Sequence, residues 1–568
     1  MERRVSGEEI VAGETTGRTG RARRWVPLVA LGLAMGLVAS CSNAGDGGAP
    51  EVVIDSTDIT QPTTGEPQRG GTVIYATEAE VDGFNPVSNR WAISGHMVAQ
   101  AVFDPLTALD ADGVAQPYLA ESVEPNDDFT VWTITLRPGV TFHNGTTLTA
   151  EVVAANLEAH RVSPLTSTAL APVSSVTVTG DLSVEVGLSQ PWVAFPGVLV
   201  GQAGYVAEPS MLDSANTEAS RNPIGTGPFR LVEWTPNVRW VGERFEDYWR
   251  EGLPYLDGVE FRPLPNPQQR LNALLTGEVN LLHLSTSSVA AEMRAAAEAG
   301  EVQFLEDPGE AEESAVLLNL EVEPLNDVRV RRALALATDT QTFNEVINLG
   351  LLEPSSGPFS PGTPWHVDTD YPTYDPAAAA ALVEEYVADP ATPGEVRFTL
   401  TSTPPAREQA ELLAEQWRQA GITVEITTID QAEFINTAVT GNFEANVWRQ
   451  FGSPDPDGNF VWWYSTNRDA PNILNFPNMF DAEIDAALDA GRQASDPAER
   501  KAAYDRLQQR LAELVPYVWL AEARWWIGAA NDVRGITNGT LPNGDPSYPL
   551  AGPTPGSHRL TQTWLATD

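Results

Sequence analysis

The chain has 568 residues, with 77 acidic against 34 basic side chains, a formal net charge of −43 and 42% hydrophobic residues. Such acidity repels nucleic acid and anionic lipid and excludes nucleic-acid binding, while the length and apolar content provide for two or three folded domains. With Cys41 as the single cysteine there is no internal disulfide, so the core alone must hold the fold.

The amino-terminal segment reads as an export leader. Arg21, Arg23 and Arg24 precede an uncharged run, Trp25 to Ser40, that ends Val38-Ala39-Ser40-Cys41 with small residues at the cleavage point. At about sixteen residues, with Pro27 inside it, the run is short of the roughly 20 that cross a bilayer as a helix. Residues 1–40 are therefore expected to be a lipoprotein signal peptide and Cys41 its acylated residue. Two acyl chains, at about 0.8 kcal/mol per CH2, anchor a protein without a spanning helix. Residues 41–69 are polar and aperiodic, and read as a flexible tether with a root-mean-square reach of roughly 30 Å. Removing the leader, with six arginines and four acidic residues, leaves the remainder more acidic still.

The body reads as mixed α/β. A strand is expected at Gly71 to Thr77, and another at Val131 to Leu136, where period-two alternation ends at the turn Arg137-Pro138-Gly139. Thr149 is placed to cap a helix over Ala150 to His160, with Glu151 in its first turn. Strands Ser175 to Thr179 and Ser183 to Leu188 pair around Gly180-Asp181. An apolar strand follows at Val316 to Leu320, then a helix, Val328 to Thr338, capped from Asn326 or Asp327. Strand Val396 to Thr401, helix Arg407 to Ala420 closed by Gly421, and strand Ile422 to Ile429 form a βαβ crossover. Asp496 and Pro497 open a helix over Ala498 to Leu514, which Pro516 stops. The strand Tyr517 to Glu522 then returns the chain toward its beginning.

Enzyme signatures are missing. Lys501, the sole lysine, lies in the helical context Ala498-Glu499-Arg500-Lys501 rather than after a glycine, so there is no phosphate loop. The histidines at 96, 143, 160, 283, 366 and 558 are too dispersed for a zinc pair, and no Gly-x-Ser-x-Gly elbow occurs. Gly225-Thr226-Gly227-Pro228-Phe229 is followed by neither helix nor lysine and reads as a structural turn. Asp455-x-Asp457-Gly458 resembles the start of a calcium loop, but Pro456 intrudes and position 465 is Ser rather than the distal Glu. His143 reads as a turn residue. No catalytic residue, metal site or cofactor is expected.

Several motifs recur in one order: Arg69-Gly70-Gly71-Thr72, Gly83-Phe84-Asn85-Pro86, Leu136-Arg137-Pro138-Gly139-Val140-Thr141-Phe142-His143-Asn144-Gly145, Pro223-Ile224-Gly225-Thr226-Gly227-Pro228-Phe229, Asn326-Asp327-Val328-Arg329-Val330-Arg331-Arg332-Ala333 and Asp455-Pro456-Asp457-Gly458. In these the chain resembles the extracellular solute-binding proteins, family 5, the peptide and nickel receptors of ABC importers. The resemblance implies an α/β, two-lobed periplasmic-binding-protein fold of type II, of the large class with an extra subdomain inserted in lobe one. The expected divisions are 70–112, lobe one, first part; 113–216, inserted subdomain; 217–316, lobe one, second part; 317–520, lobe two; and 521–568, a return to lobe one. It also implies a monomeric, extracytoplasmic receptor, lipid-anchored through Cys41, whose partners are a peptide or other small solute and an ABC permease with its ATPase subunits.

Ligand contacts are expected from Trp448, Arg449, Gln450 and Phe451, where a strand ends at the carboxyl edge of the second lobe's sheet. Asn89 and Trp91 are expected to face them from the first lobe, with Asn319 on the hinge strand. Dipeptide receptors of the family carry an aspartate just before the Asp-Pro-Asp turn, where this chain has Gly452, Ser453 and Pro454; Phe398 to Pro405 also lacks the arginine that pairs with a dipeptide carboxylate. An unpaired buried ligand charge costs several kcal/mol, so a free dipeptide held at both ends is disfavoured. Peptide-like solutes bound through their amides remain the leading expectation. The alternatives are an oligosaccharide- or glycolipid-binding lipoprotein and a secreted glycoside hydrolase, for which Asp455 and Asp457 are the near candidates.

Overall fold

The computed structural model describes residues 65–213, 217–306, 312–450, 452–468, 474–537, 539–548, 550 and 557–567. Cys41, the leader, most of the tether and Phe451 lie outside the described residues. The chain opens with β1 (Thr72–Thr77), whose Val73 and Tyr75 are fully buried, and α1 (Ile93–Val102). A four-stranded antiparallel sheet follows, from β2 (Ala120–Pro125), β3 (Val131–Leu136), β4 (Val173–Gly180) and β5 (Ser183–Leu188), in the order β2-β3-β5-β4. Its inward residues Trp132, Ile134, Leu136, Val184 and Val186 pack against Val153 and Leu157 of α2 (Ala150–Val162). Thr149 precedes that helix in extended conformation but makes no side-chain cap, and its hydroxyl instead lowers the Glu151 carboxyl pKa.

The chain then returns with β6 (Phe229–Thr235), β7 (Arg239–Arg244), β8 (Gly258–Pro263), α3 (Pro267–Leu275), β9 (Leu281–Leu284), α4 (Ser287–Glu298) and β10 (Gln303–Glu306). The second lobe comprises β11 (Glu313–Leu318), α5 (Val328–Leu336), α6 (Thr340–Ile347), α7 (Pro376–Ala388), β12 (Arg397–Ser402), α8 (Arg407–Gln419), β13 (Thr423–Thr428), α9 (Gln431–Val439), β14 (Ala445–Gln450), α10 (Ala482–Gln493), α11 (Pro497–Leu514) and β15 (Tyr517–Glu522). Finally β16 (Trp526–Ala529) rejoins the first sheet, giving a seven-stranded order β10-β16-β9-β1-β8-β7-β6 beside a five-stranded order β13-β12-β14-β11-β15. These are the two lobes of a periplasmic-binding-protein fold. Past them, Leu565 packs on Gly71, and Thr567 donates its backbone N–H to Gln68 at 3.2 Å, so the last described residues meet the first.

Both faces of the second sheet are covered, which explains its dense apolar content. Val316, Leu318, Leu400 and Val447 face α5, α7 and α8; Ala315, Leu317, Trp448 and Trp519 face α10 and α11. Helix α8 reaches this core through Ala410, Leu413 and Trp417, and α11 through Tyr504, Leu507, Gln508 and Leu511, each set on one helical stripe. Asp327 caps α5 through the Arg329 N–H, and Asp496 caps α11 through the Ala498 and Glu499 N–H groups behind Pro497. Strand β11 starts three residues before the expected Val316, because Glu313, Ser314 and Ala315 find ladder partners in both β14 and β15.

Candidate functional site

Strand register locates the junction of the lobes. In the first sheet Leu284 and Glu306 both pair with Trp526; in the second, Gln450 and Glu522 both pair with Glu313. The chain passes between sheets from Glu306 to Glu313 and back from Glu522 to Trp526, so the crossings run where β1, β9 and β14 present their carboxyl ends. Open α/β sheets place ligands there, where strand order reverses. In the second sheet the chain leaves β12 outward to β13 and comes back inward to β14, so the reversal lies between the ends of β12 and β14.

At this junction Arg449 projects from the second lobe. Its Nε lies 3.4 Å from Glu312 Oε1, and its guanidinium carbon sits 5.0 Å from the centre of the Trp525 ring. Trp525 donates its indole N–H to Glu312 Oε2 at 2.9 Å, so aromatic face and carboxylate are locked together beneath the cation. From the first lobe comes Glu78, the residue after β1. Its backbone N–H donates to His283 Nε2 at 3.0 Å, and the His283 ring lies 5.2 Å from Trp525. Burial raises the Glu78 carboxyl above its ordinary value, against the opposing pull of Arg449 and Arg270. The field of Arg449 thus reaches a carboxylate of the facing lobe. Glu313, alongside, is raised further, to about 8, by burial and by its neighbours Glu522 and Glu312, and accepts the Ser360 hydroxyl at 2.9 Å.

A second junction lies at the Asp-Pro-Asp turn. Asp457 Oδ2 accepts the indole N–H of Trp192, which packs in the core under the four-stranded sheet, at 2.7 Å, while Oδ1 accepts Arg492 Nε at 2.7 Å. The Arg492 guanidinium is stacked between Phe460, at 3.6 Å, and Trp192, at 4.5 Å, and the Arg492 carbonyl accepts the Val193 N–H at 3.1 Å. Asp455 is held by Arg500 through two bonds, 2.5 and 2.8 Å. Both carboxylates that a hydrolase would draw on are therefore engaged by arginines. The Gly225-Thr226-Gly227 turn is likewise structural. Cβ atoms at its glycines would lie 2.1 and 2.5 Å from backbone atoms of Val102, and Thr226 donates to buried Asp104 at 3.1 Å.

Of the residues expected to contact solute, Arg449 and Gln450 stand at the crossing, Gln450 buried opposite Glu313. Trp448 is buried in the second lobe, its ring 5.5 Å from Phe434 and 5.1 Å from Phe476. Asn319 follows the far end of β11 from the crossing, donating to the Phe443 carbonyl at 2.9 Å and accepting from Asn478 at 3.1 Å, as a pin between loops. Asn89 accepts the Asn85 N–H at 2.8 Å and the Ser220 hydroxyl at 2.7 Å; Trp91 donates to the Gly83 carbonyl at 2.9 Å and stacks on Phe103. Both are tied within the first lobe. Sequence reasoning missed Glu78, Glu312, Trp525 and the Trp192–Asp457–Arg492 cluster. A signal existed for Glu78, the first residue past a strand end. None existed for Trp192, because its partner lies 265 positions away.

Residues 114–472 match the family described as bacterial extracellular solute-binding proteins, family 5 middle. Among curated proteins, the glutathione-binding protein GsiB of Pectobacterium atrosepticum is 25% identical over 441 residues, covering 75% of this chain and 84% of that protein. The GsiB of Salmonella paratyphi A is 26% identical over 461 residues, covering 78% and 88%. Among solved structures, AgaA from A. tumefaciens R10, in complex with agropinic acid, superposes with a TM-score of 0.78 at 26% identity, covering 88% of this chain and 99% of that one. The oligopeptide-binding protein AppA of Bacillus subtilis, in complex with a nonapeptide, shares the fold at a TM-score of 0.76 and 22% identity, covering 88% and 100%. Among the described residues no helix is long and apolar enough to cross a membrane. The matched residues, two lobes and junction converge, and the chain belongs to the bacterial extracellular solute-binding proteins, family 5.

Proposed function

We propose that this chain is the lipid-anchored receptor of an ABC importer, capturing a peptide-like solute between its lobes and delivering it to a permease. The observation that carries the reading is the setting of Arg449: a cation from the second lobe, over an aromatic face, opposite carboxylates of the crossing and of the first lobe. A solute with amide or carboxylate oxygens meets Arg449, and one with an amine meets Glu78 and Glu312. These acids supply a counter-charge in place of the one lacking at Gly452, Ser453 and Pro454. Relatives named for glutathione, and neighbours solved with a nonapeptide or with the peptide STSA, support the peptide-like class.

Ligand contacts on both lobes favour the closed state, which the permease recognises. Arg449, Gln450, Phe451 and Trp448 serve the second lobe's side, and Asn89 and Trp91 frame the entrance from the first. Cys41 carries the lipid, and the tether keeps the receptor at raised effective concentration near its permease. Mass spectrometry of solute carried through purification from the native host tests the substrate class, and Cys41→Ser, expected to release the protein from the membrane fraction, tests the anchor. A protein that carries no peptide-like solute, and neither compacts nor gains melting temperature with any peptide pool, refutes the receptor reading for this class.

A further inference from the structure

A buried strand face rarely leaves a polar atom without a partner. The face of β14 turned toward α10 and α11 does so at successive inward positions. Asn446 is fully buried, and neither its amide nitrogen nor its carbonyl oxygen has a hydrogen-bond partner among the described residues. Trp448 follows about 6.6 Å along the same face; it is 8% exposed, and its indole nitrogen is likewise unpartnered. Next along this face, across the ladder from Gln450, stands Glu313, 1% exposed, whose carboxyl accepts the Ser360 hydroxyl and feels that of Ser355. Asn446 is paired with Thr401 of β12, which ends at Ser402, so the orphaned atoms begin beside the point where strand order reverses.

Their chemistry is specific. Asn446 offers two donor hydrogens and an acceptor, Trp448 one donor, and neither carries charge. Burial keeps Glu313 protonated at neutral pH, so that wall is uncharged too. The rings of Phe434 and Phe476 flank the indole, and an ionised solute group among them would stand unpaired.

We propose that Asn446 and Trp448 form a solute subsite for a neutral amide, either a peptide unit or a side-chain carboxamide. The solute carbonyl accepts from Asn446 Nδ2 and Trp448 Nε1, and Asn446 Oδ1 accepts either the syn N–H of a side-chain carboxamide or, in a peptide, the N–H of the residue whose carbonyl is bound, because the N–H and C=O of one trans peptide unit point opposite ways. The subsite rests on the receptor reading above and gives it a point of selection for uncharged, amide-bearing solutes.

Asn446→Leu removes both polar atoms at nearly constant volume, and Trp448→Phe removes the indole donor while keeping an aromatic ring. Calorimetry on the full chain uses two probes: tetra-alanine, which offers backbone amides only, and Ala-Gln-Ala-Ala, which adds a carboxamide. Affinity is expected to fall at least tenfold in Asn446→Leu and several-fold in Trp448→Phe, while the solute-free melting temperature of Asn446→Leu holds or rises because an unpaired amide has gone. Loss with both probes assigns a backbone amide; loss with the glutamine peptide alone assigns the side chain. Wild-type binding that both variants match within twofold overturns the subsite and leaves the receptor reading standing. A wild-type protein that binds neither peptide overturns the peptide reading and the subsite with it.

Discussion

Replacing Asp457 by Asn tests whether the Asp-Pro-Asp turn clasps the lobes together. The Asp457 and Arg492 side chains are 7% and 2% exposed and meet at 2.7 Å. Breaking a buried pair from one side costs about 3–5 kcal/mol, because the remaining charge stays buried without its counter-ion. The Asn carbonyl still accepts one hydrogen bond but cannot neutralise a guanidinium confined between Phe460 and Trp192. At about 2 cal/mol/K per residue, a folded body of some 500 residues unfolds with an entropy near 1 kcal/mol/K, so the melting temperature should drop by roughly 3–5 °C. Asp455→Asn is the internal control, since the Asp455 side chain is 31% exposed and its pair with Arg500 is partly solvated; about 1 kcal/mol and about 1 °C are expected. Because Trp192 packs with the four-stranded sheet and Asp457 follows β14 of the second lobe, Asp457→Asn should also raise the radius of gyration of the solute-free protein, and saturating solute should reverse the rise. Differential scanning calorimetry and small-angle scattering read both effects. Equal melting shifts for the two variants, or an unchanged radius in Asp457→Asn, would refute the clasp.

Arg449→Ala should weaken solute binding at least tenfold by calorimetry, about 1.4 kcal/mol, while moving the melting temperature by less than Asp457→Asn, because the arginine is 30% exposed. Gly225→Ala places a Cβ 2.1 Å from the Val102 carbonyl oxygen, so it should cost at least 2 kcal/mol as an overpacking defect and reduce soluble yield without altering affinity in the protein that folds. Stability should peak near about pH 6.5 in a melting-temperature series. His96, His143, His160 and His558 are lowered to about 4 by burial, so the stability tied to their neutral forms is lost as pH falls from 6.5 toward 4. Glu313, raised to about 8, and Asp104, raised to about 6, hold protons in the fold that the unfolded chain releases near 4, so their contribution fades as pH rises through those values. A maximum below pH 5 or above pH 8 would contradict these assignments.

Local chemistry was legible where one strand or helix carried its own pattern. The alternation of Val131 to Leu136, the Asp496-Pro497 cap and the stripe Ala410, Leu413, Trp417 each state their element without reference to the rest of the chain. Arg449 was legible for a similar reason, because a strand end before a turn must point at an edge. Asn319 shows the limit. An asparagine on an apolar strand looks equally apt as hinge or pin, and only the register with β14 and β15 puts the crossing at Glu313 instead. Thr149 shows another: its residue type suits a cap, yet its hydroxyl turns to Glu151 instead. Asp457 reads as half of a calcium loop in sequence, because local spacing cannot see Trp192, 265 positions away, or Arg492. Non-local pairing of this kind leaves no periodic trace.

On the proposed mechanism of capture by lobe closure, the two junctions would divide the work. A ligand shifts an open–closed equilibrium only by its differential affinity for the two states, and carrying a population from 1:99 to 99:1 requires about 5.5 kcal/mol. The clasp at Asp457 is made entirely of protein atoms, so whatever it contributes reduces what the solute must supply, by a factor of ten for each 1.4 kcal/mol. That assistance is the same for every solute and therefore adds nothing to discrimination. Selectivity must come from groups that no protein partner fully satisfies when the lobes meet, and Arg449, facing Glu312 at 3.4 Å rather than in a bidentate pair, has donors to spare. On the receptor reading proposed above, mutations at the clasp should scale all affinities together while mutations at Arg449 should reorder them.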